Sequence, residues 1–186
     1  MKTEIIKNMN SARDGIDKIL FSKEEIQLRV EELGRQITKD LAEEDLVVVG
    51  ILKGAGIFMC DLIREIDMPV RIDFMTVSSY GNAKESSGEI RIIKDLQQDV
   101  RGSVVLLVED IVETGLTLSC LKEIMAERGA KDVRICTLLD KPEKRKKEVK
   151  TDYCGFTVGD TFIVGYGIDY AEHYRNLPYI AALKQD

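Results

Sequence analysis

The sequence has little of the chemistry that zinc centres and hydrolytic triads need. Its 186 residues include one histidine, His173, which excludes histidine-rich zinc sites and argues against a Ser-His-Asp triad, so we interpret it as structural. The four cysteines, Cys60, Cys120, Cys136 and Cys154, are scattered and form no C-x-x-C pair. We expect buried free thiols, because neither metal-ligand nor disulfide spacing is present.

Long apolar segments and an excess of basic residues are also missing. There is no run of about 18 apolar residues and no apolar signal region at the N-terminus, so we expect a soluble, cytoplasmic protein without membrane contact. The net charge of −6 argues against a general affinity for nucleic acid. One basic run, residues 141–150, is interpreted as a solvated loop, with RNA contact as the alternative.

Two common glycine-rich phosphate motifs are absent as well. The sequence has no G-x-x-x-x-G-K-[ST] and no G-x-G-x-x-G after a strand. These absences exclude a P-loop nucleotidase and the usual dinucleotide-binding fingerprint.

What is present is an alternation of helical patterns and apolar runs. Ser22 and Glu25 have capping-box spacing at the start of an amphipathic helix, and continuous apolar runs at 46–52, 103–109 and 133–139 predict strands buried on both faces. Further helices are predicted at 55–66 and 117–129, further strands at 70–80 and 89–96, and shorter β segments around 156–158 and 161–167. This order predicts an α/β fold with a mainly parallel twisted sheet flanked by helices, in one domain over residues 1–186.

Charged residues follow three of the predicted strands. Lys53 and Gly54 follow the first buried strand, Glu109 and Asp110 follow the next, and Asp140 with Lys141 follows another. Ligands of parallel sheets bind beyond the carboxyl ends of the strands, so a ligand site is predicted at this edge.

A turn with two hydroxyls suggests what the ligand is. Thr114, Gly115, Leu116 and Thr117 open a predicted helix, whose free N–H groups favour a phosphate, although simple N-capping by threonine is the alternative. Carboxylates accept hydrogen bonds from sugar hydroxyls and bind Mg²⁺. An acid pair just before a phosphate cradle therefore predicts a phosphorylated-sugar site.

Several motifs in register resemble the type I phosphoribosyltransferases, and among them the hypoxanthine-guanine group. "VVLLVEDIVETGLTL" (104–118) is similar to the signature for phosphoribosyl diphosphate (PRPP), and "GILKGAGIF" (50–58) to the pyrophosphate loop. "MTVSSYG" (75–81) resembles the start of the flexible catalytic loop, while "LLDKP" and "TFIVGYGIDYAEHYRNLPYI" resemble the purine segment. The resemblance implies a core at about residues 40–140 and a small hood from about 1–20 and 141–186.

The resemblance also implies how PRPP binds. Glu109 and Asp110 would hold the ribose hydroxyls directly or through Mg²⁺, and the residues from Thr114 to Thr117 would cradle the 5′-phosphate. Lys53, Gly54 and Arg175 would contact pyrophosphate, with Asp169 beside its Mg²⁺. The Leu52–Lys53 peptide bond is cis in many relatives. From the residues alone, Asp169 and Arg175 could instead form a simple surface ion pair.

Purine recognition is implied at a second set of residues. Lys141 would donate to the 6-oxo group, Phe162 would stack on the base and Ile163 would pair with it through its backbone. Ser79 and Tyr80 would close over the reaction centre, with residues 81–88 as a lid. Composition alone favours a core position for Phe162 and a plain strand-end position for Tyr80.

Glu113 is where the sequence departs from the pattern it resembles. The family usually has aspartate there, as the candidate base near purine N7, and glutamate places the carboxylate one methylene further out. Proton transfer depends on geometry, so we expect activity to be retained with adjusted positioning.

The implied activity is Mg²⁺-dependent transfer of 5-phosphoribosyl from PRPP to N9 of hypoxanthine or guanine, giving IMP or GMP and pyrophosphate. Adenine should be a poor substrate, and a homodimer or homotetramer is implied. Two alternatives stay open. One is a xanthine-preferring phosphoribosyltransferase, and the other is a non-catalytic PRPP- or nucleotide-sensing RNA-binding regulator, for which Glu113 and the basic run are the support.

Overall fold

The protein is an α/β structure built on one mainly parallel sheet. The computed structural model describes residue 11 and residues 13–79 and 90–184. The strands are β1 (Ile16–Phe21), β2 (Leu46–Leu52), β3 (Val70–Ser79), β4 (Ile90–Lys94), β5 (Val104–Val112), β6 (Asp132–Asp140), β7 (Tyr153–Thr157), β8 (Ile163–Val164) and β9 (Ile180–Leu183). The helices are α1 (Lys23–Leu41), α2 (Gly56–Leu62) and α3 (Leu116–Glu127), and a 3₁₀ turn covers Pro142–Lys144.

The main sheet has six strands in the order β4-β3-β2-β5-β6-β7. Every neighbouring pair is parallel except β3 and β4, which are antiparallel. The predicted α/β class and mainly parallel sheet are therefore confirmed. The order also makes β2, β5 and β6 adjacent, so their carboxyl ends lie side by side.

Both faces of the main sheet are buried, which explains the continuous apolar runs. In β2, Val48 packs with α1 and α2 on one face, whereas Val47 and Val49 pack with α3 on the other. Successive side chains of a strand point to opposite faces, so a strand covered on both sides needs apolar residues throughout.

Helix α1 begins as its sequence predicts. The Ser22 hydroxyl accepts a hydrogen bond from the Glu25 N–H, and the Glu25 carboxylate accepts one from the Ser22 N–H at 2.8 Å. These bonds favour the ionised acid and lower the pKa of Glu25. The buried face of α1 then covers the sheet with Ile26, Val30 and Leu33, among others.

A second, three-stranded sheet has the order β1-β9-β8, and both of its pairings are antiparallel. It joins the beginning of the described chain to its end. The sequence analysis did not predict β1 or β9. Strand β1 shows no regular inward and outward alternation, and β9 is a four-residue segment containing two alanines, so neither carries the usual strand pattern.

The cysteines are free, but the expectation that they are buried is only partly right. Cys136 is buried in β6, which raises the pKa of its thiol, whereas Cys120 and Cys154 are partly buried and Cys60 on α2 is exposed. Within the described ranges, each helix is too short or too polar to cross a bilayer.

Candidate active site at the carboxyl edge of the sheet

Residues from β2, β5 and β6 meet at one edge of the main sheet. Strand β5 is longer than the apolar run and continues to Val112, so Glu109 and Asp110 lie within it rather than after it. In the parallel register, Glu109 pairs with Thr137 and Val112 pairs with Asp140. The acid pair therefore lies on the strand next to β6, a few residues from the level at which β6 ends and Lys141 follows.

The loop after β2 lies directly against the acid pair. The Leu52–Lys53 peptide bond is cis. A Cβ atom on Gly54 would lie 1.8 Å from Oδ2 of Asp110, so only glycine allows the backbone this close. The structure thus brings together Lys53, Gly54, Glu109 and Asp110.

Glu109 and Asp110 are both held in surroundings that oppose their negative charge. Desolvation and the neighbouring charge of Asp110 raise the pKa of Glu109 well above its usual value. Desolvation also raises the pKa of Asp110, although hydrogen bonds and the charge of Arg175 act in the opposite direction. A ligand that supplies hydroxyl donors or positive charge would relieve both effects.

The turn before α3 lines a cleft of about 260 Å³. Its lining residues are Glu109, Ile111, Val112, Glu113, Thr114, Gly115, Thr117 and Leu118. The N-cap residue is Gly115, with φ of +79°, so the side-chain cap expected from simple threonine N-capping is not formed. Thr114 Oγ1 makes only a long contact, at 3.4 Å, with the Leu116 N–H. Thr114 and Thr117 thus line the cleft, and their hydroxyls are groups that can donate to the oxygens of a phosphate.

The basic run supports the turn at residues 114–117 through its backbone. The Lys146 and Lys147 N–H groups both donate to the Thr114 carbonyl, at 2.9 and 3.0 Å. A Cβ atom on Gly115 would lie 2.4 Å from the Lys147 carbonyl oxygen. Arg145 pairs with Asp140 at the end of β6. The side chains of Lys144, Lys146, Lys147 and Lys150 are exposed, as interpreted for the run, but Lys141 is buried and the backbone of the segment packs against the turn.

Lys141 and Glu113 form a polar pair next to this turn. Lys141 is 5% exposed, and its Nζ donates to Glu113 Oε1 at 3.0 Å and to the Thr161 carbonyl at 2.8 Å. Thr161 was not predicted, because a carbonyl in a loop leaves no signal in the sequence. The carboxylate that departs from the family pattern is therefore held in place by the lysine.

Phe162 and Ile163 follow Thr161 but differ in environment. Phe162 is 45% exposed and meets Tyr170 edge to face, at 5.2 Å between ring centroids. The core position favoured by composition is wrong, since β8 begins only at Ile163, which is buried. The Phe162 ring, one residue after the Thr161 carbonyl that Lys141 contacts, is exposed and available for stacking.

A turn near the C-terminus lies over the loop after β2. Arg175 pairs with Asp169 at 2.7 Å and donates to the Gly167 carbonyl. Lys53 Nζ lies 2.8 Å from Glu172 Oε2, a residue that the sequence analysis did not select. The exposed fractions of Asp169 and Arg175 are 29% and 24%, so this pair is more enclosed than a simple surface ion pair.

Two of the predicted catalytic residues lie at or beyond the edge of a described range. Ser79 is the last residue of β3, whereas Tyr80 and the predicted lid at 81–88 lie outside the described residues.

Among the residues that the structure covers, no cluster of three or more His, Cys, Asp or Glu side chains is arranged to hold a metal ion. The Glu109 and Asp110 pair fits a cation that takes its remaining ligands from substrate oxygens and water, which is the usual mode for Mg²⁺.

Comparison with known proteins identifies the family. The sequence matches the phosphoribosyl transferase domain over residues 18–171. The chain belongs to the phosphoribosyltransferase family. It is 54% identical to the hypoxanthine-guanine phosphoribosyltransferase of Bacillus subtilis, over 91% of this chain and 94% of that protein. It is 49% identical to the hypoxanthine phosphoribosyltransferase of Salmonella typhimurium, over 88% and 93% of the two chains.

Solved structures agree with this assignment. The crystal structure of a hypoxanthine phosphoribosyltransferase from Staphylococcus aureus superimposes with a TM-score of 0.91 at 49% identity, covering 95% of this chain and 97% of that one. The phosphoribosyltransferase fold predicted from the motifs is therefore confirmed over nearly the whole chain.

Proposed function

We propose that this phosphoribosyltransferase transfers the 5-phosphoribosyl group from PRPP to N9 of hypoxanthine or guanine, giving IMP or GMP and pyrophosphate. The observation that carries the proposal is the 3.0 Å pair of Lys141 and Glu113 beside the phosphate turn. A 6-oxopurine presents an acceptor, O6, next to a donor, the N7 proton. A buried ammonium next to a carboxylate is complementary to these two groups.

The residues have distinct roles in this proposal. The turn from Thr114 to Thr117 binds the 5′-phosphate, and Glu109 with Asp110 accepts hydrogen bonds from the ribose hydroxyls. These contacts fix the sugar between the base subsite and the cations that hold pyrophosphate. Phe162 stacks on the base, and Ile163 pairs with it through its backbone.

The reaction exchanges one bond at the anomeric carbon for another. The C1′–O bond to pyrophosphate breaks, the C1′–N9 bond forms, and the N7 proton passes to the Glu113 carboxylate. Lys141 polarises the 6-oxo group, and Lys53 with Arg175 stabilises the charge of the departing pyrophosphate. Glu109, Asp110 and Asp169 would hold Mg²⁺ together with substrate oxygens, and the metal would supply positive charge that offsets the phosphate charge.

Substrate preference tests this proposal most directly. The protein is incubated with PRPP, Mg²⁺ and hypoxanthine, guanine, xanthine or adenine in turn, and nucleotide formation is measured. We expect turnover with hypoxanthine and guanine and little with adenine, because the Lys141 ammonium cannot accept from a 6-amino group. Efficient adenine turnover would contradict the base subsite, and preferential xanthine turnover would favour the xanthine enzyme. A nucleotide-sensing regulator would bind PRPP without forming product.

We also propose that the protein self-associates as a homodimer or homotetramer. Light scattering after size-exclusion chromatography measures the mass directly against the 21.0 kDa of one chain. A monomer at micromolar concentration would contradict this proposal and leave the catalytic one intact.

A further inference from the structure

Glu172 is an acidic residue beside two cations, Lys53 and Arg175, that are proposed to bind pyrophosphate. Its Oε2 lies 2.8 Å from Lys53 Nζ and 3.6 Å from Arg175 Nη2. Both cations are proposed to bind the pyrophosphate part of PRPP. A carboxylate and a phosphate offer similar oxygen acceptors to a cation, so Glu172 occupies the same partners that pyrophosphate needs.

The backbone holds Glu172 in this position. Ala171 and Glu172 adopt left-handed conformations, with φ of +49° and +68°, which are uncommon for residues other than glycine. The Glu172 N–H donates to Asp169 Oδ2 at 2.8 Å, and Tyr170 and His173 exchange backbone hydrogen bonds across the turn. The turn is also close to the loop after β2, because a Cβ atom on Gly167 would lie 2.1 Å from the Gly54 carbonyl oxygen.

The two cations are not equally committed to other partners. Arg175 has a second acid, Asp169, at 2.7 Å and a carbonyl, Gly167, at 2.7 Å. For Lys53, Glu172 is the one acidic partner within ion-pair distance among the described residues. The carboxylate of Glu172 therefore acts mainly on Lys53.

We propose that Glu172 is an internal competitor for the pyrophosphate group, pairing with Lys53 and Arg175 when the site is empty and giving them up when PRPP or pyrophosphate binds. The proposal rests on the assignment of these cations to pyrophosphate. Its consequence for the reaction is that Glu172 recaptures the cations as the product leaves. It thereby weakens pyrophosphate binding and speeds product release.

The expected effect is modest, because the pair is open to solvent. The side chains of Lys53 and Glu172 are 67% and 64% exposed, and exposed ion pairs contribute little. We expect removal of the Glu172 charge to tighten pyrophosphate binding about three- to five-fold at low salt. The gain should shrink as salt rises, since screening weakens exposed pairs.

The test compares two variants that lose the same charge. Glu172→Gln removes the competitor and keeps the shape of the side chain. Glu44→Gln is the matched control, because Glu44 pairs with Lys131 at 2.6 Å near the amino ends of the strands, away from the site. Calorimetry with inorganic pyrophosphate, with and without Mg²⁺, measures affinity for each. We expect tighter binding for Glu172→Gln and no change for Glu44→Gln, together with a lower KM for PRPP and an unchanged KM for the base.

A cycle with Lys53 separates this proposal from the site assignment. The gain from Glu172→Gln should largely disappear in a Lys53→Ala background, because the competing pair no longer exists. If Lys53→Ala and Arg175→Ala both leave pyrophosphate affinity unchanged, the assignment of these cations is wrong. If they weaken binding while Glu172→Gln matches or weakens the native affinity, the competitor role is wrong and the assignment stands.

Discussion

The pairing of Glu113 with Lys141 predicts how the protein responds when the charge of Glu113 is removed. Replacing Glu113 with glutamine keeps the size of the side chain and removes its charge. Lys141, with a side chain 7% exposed, would then keep the Thr161 carbonyl and a neutral amide oxygen as partners. The variant separates loss of the proposed proton acceptor from loss of packing.

The stability cost follows from the distance and exposure of the pair. At 3.0 Å and an effective dielectric constant of about 20, the direct attraction is roughly 5 to 6 kcal/mol. Glu113 is 47% exposed, so solvent screening removes most of this, and the amide oxygen still accepts a hydrogen bond. We expect a net loss of about 1 to 2 kcal/mol, which lowers the melting temperature by about 2 to 8 °C in a chain of this size.

The catalytic cost should be far larger than the stability cost. Loss of a positioned base lowers rates by about 10² to 10⁴. We expect kcat of Glu113→Gln to fall in this range while the KM for PRPP changes little, since Glu113 is not proposed to touch the phosphoribosyl group. Initial rates of IMP formation measure both. Glu127→Gln, on the exposed face of α3, is the control for net charge.

Glu113→Asp tests the departure from the family pattern. Shortening the side chain by one carbon–carbon bond, about 1.5 Å, lengthens the contact with Lys141 unless the backbone shifts. We expect kcat to stay within about ten-fold of the native value. A greatly increased kcat would mean that the native glutamate is mispositioned. Full activity in Glu113→Gln would refute the proton-transfer role altogether.

Further predictions address the phosphoribosyl subsite, the phosphate turn and the core. Asp110→Asn should abolish PRPP turnover yet stabilise the fold by about 1 kcal/mol at neutral pH. The pKa of Asp110 is higher in the folded protein than in the unfolded chain, so ionisation of the native carboxylate lowers stability once the pH rises above the pKa of the unfolded chain. At acidic pH the native carboxyl group is neutral, so urea melts should show that the stability gained by Asp110→Asn disappears there. Gly115→Ala should raise the KM for PRPP and cost about 1 to 3 kcal/mol, because φ is +79° and the Lys147 carbonyl oxygen leaves no room for a Cβ atom. Phe58→Ala, in the core, should cost about 3 to 5 kcal/mol in the same melts, whereas Phe162→Ala should leave stability nearly unchanged and raise the KM for the base.

Much of the fold could be predicted because local patterns and buried faces agree. The capping box of α1 and the apolar runs of β2, β5 and β6 are local signals that tertiary packing reinforces. The expectation that ligands bind beyond the carboxyl ends of strands led to Lys53, the acid pair and Lys141. Lys53 directly follows β2, the acid pair lies in β5 and Lys141 directly follows β6, and these three strands are adjacent.

The remaining features depend on contacts between distant parts of the chain. Strand β1 pairs with β9 across more than 150 residues, and neither strand has an alternating pattern that predicts it. Glu172 meets Lys53 from a turn in which Ala171 and Glu172 adopt left-handed conformations, for which the sequence has no signal. Phe162 is exposed because β8 is two residues long, which composition cannot predict.

The acid pair of β5 shows how the fold and the site oppose each other. Glu109 and Asp110 extend a strand whose preceding five residues are fully buried, and burial raises the pKa of both carboxyl groups. The ionised pair therefore destabilises the folded chain at neutral pH. The neighbouring charge of Arg175 offsets part of that cost at Asp110. Sugar hydroxyls or a bound cation would remove more of it, so in the proposed complex part of the affinity for PRPP would come from relief of the desolvation that both carboxylates experience in the empty site.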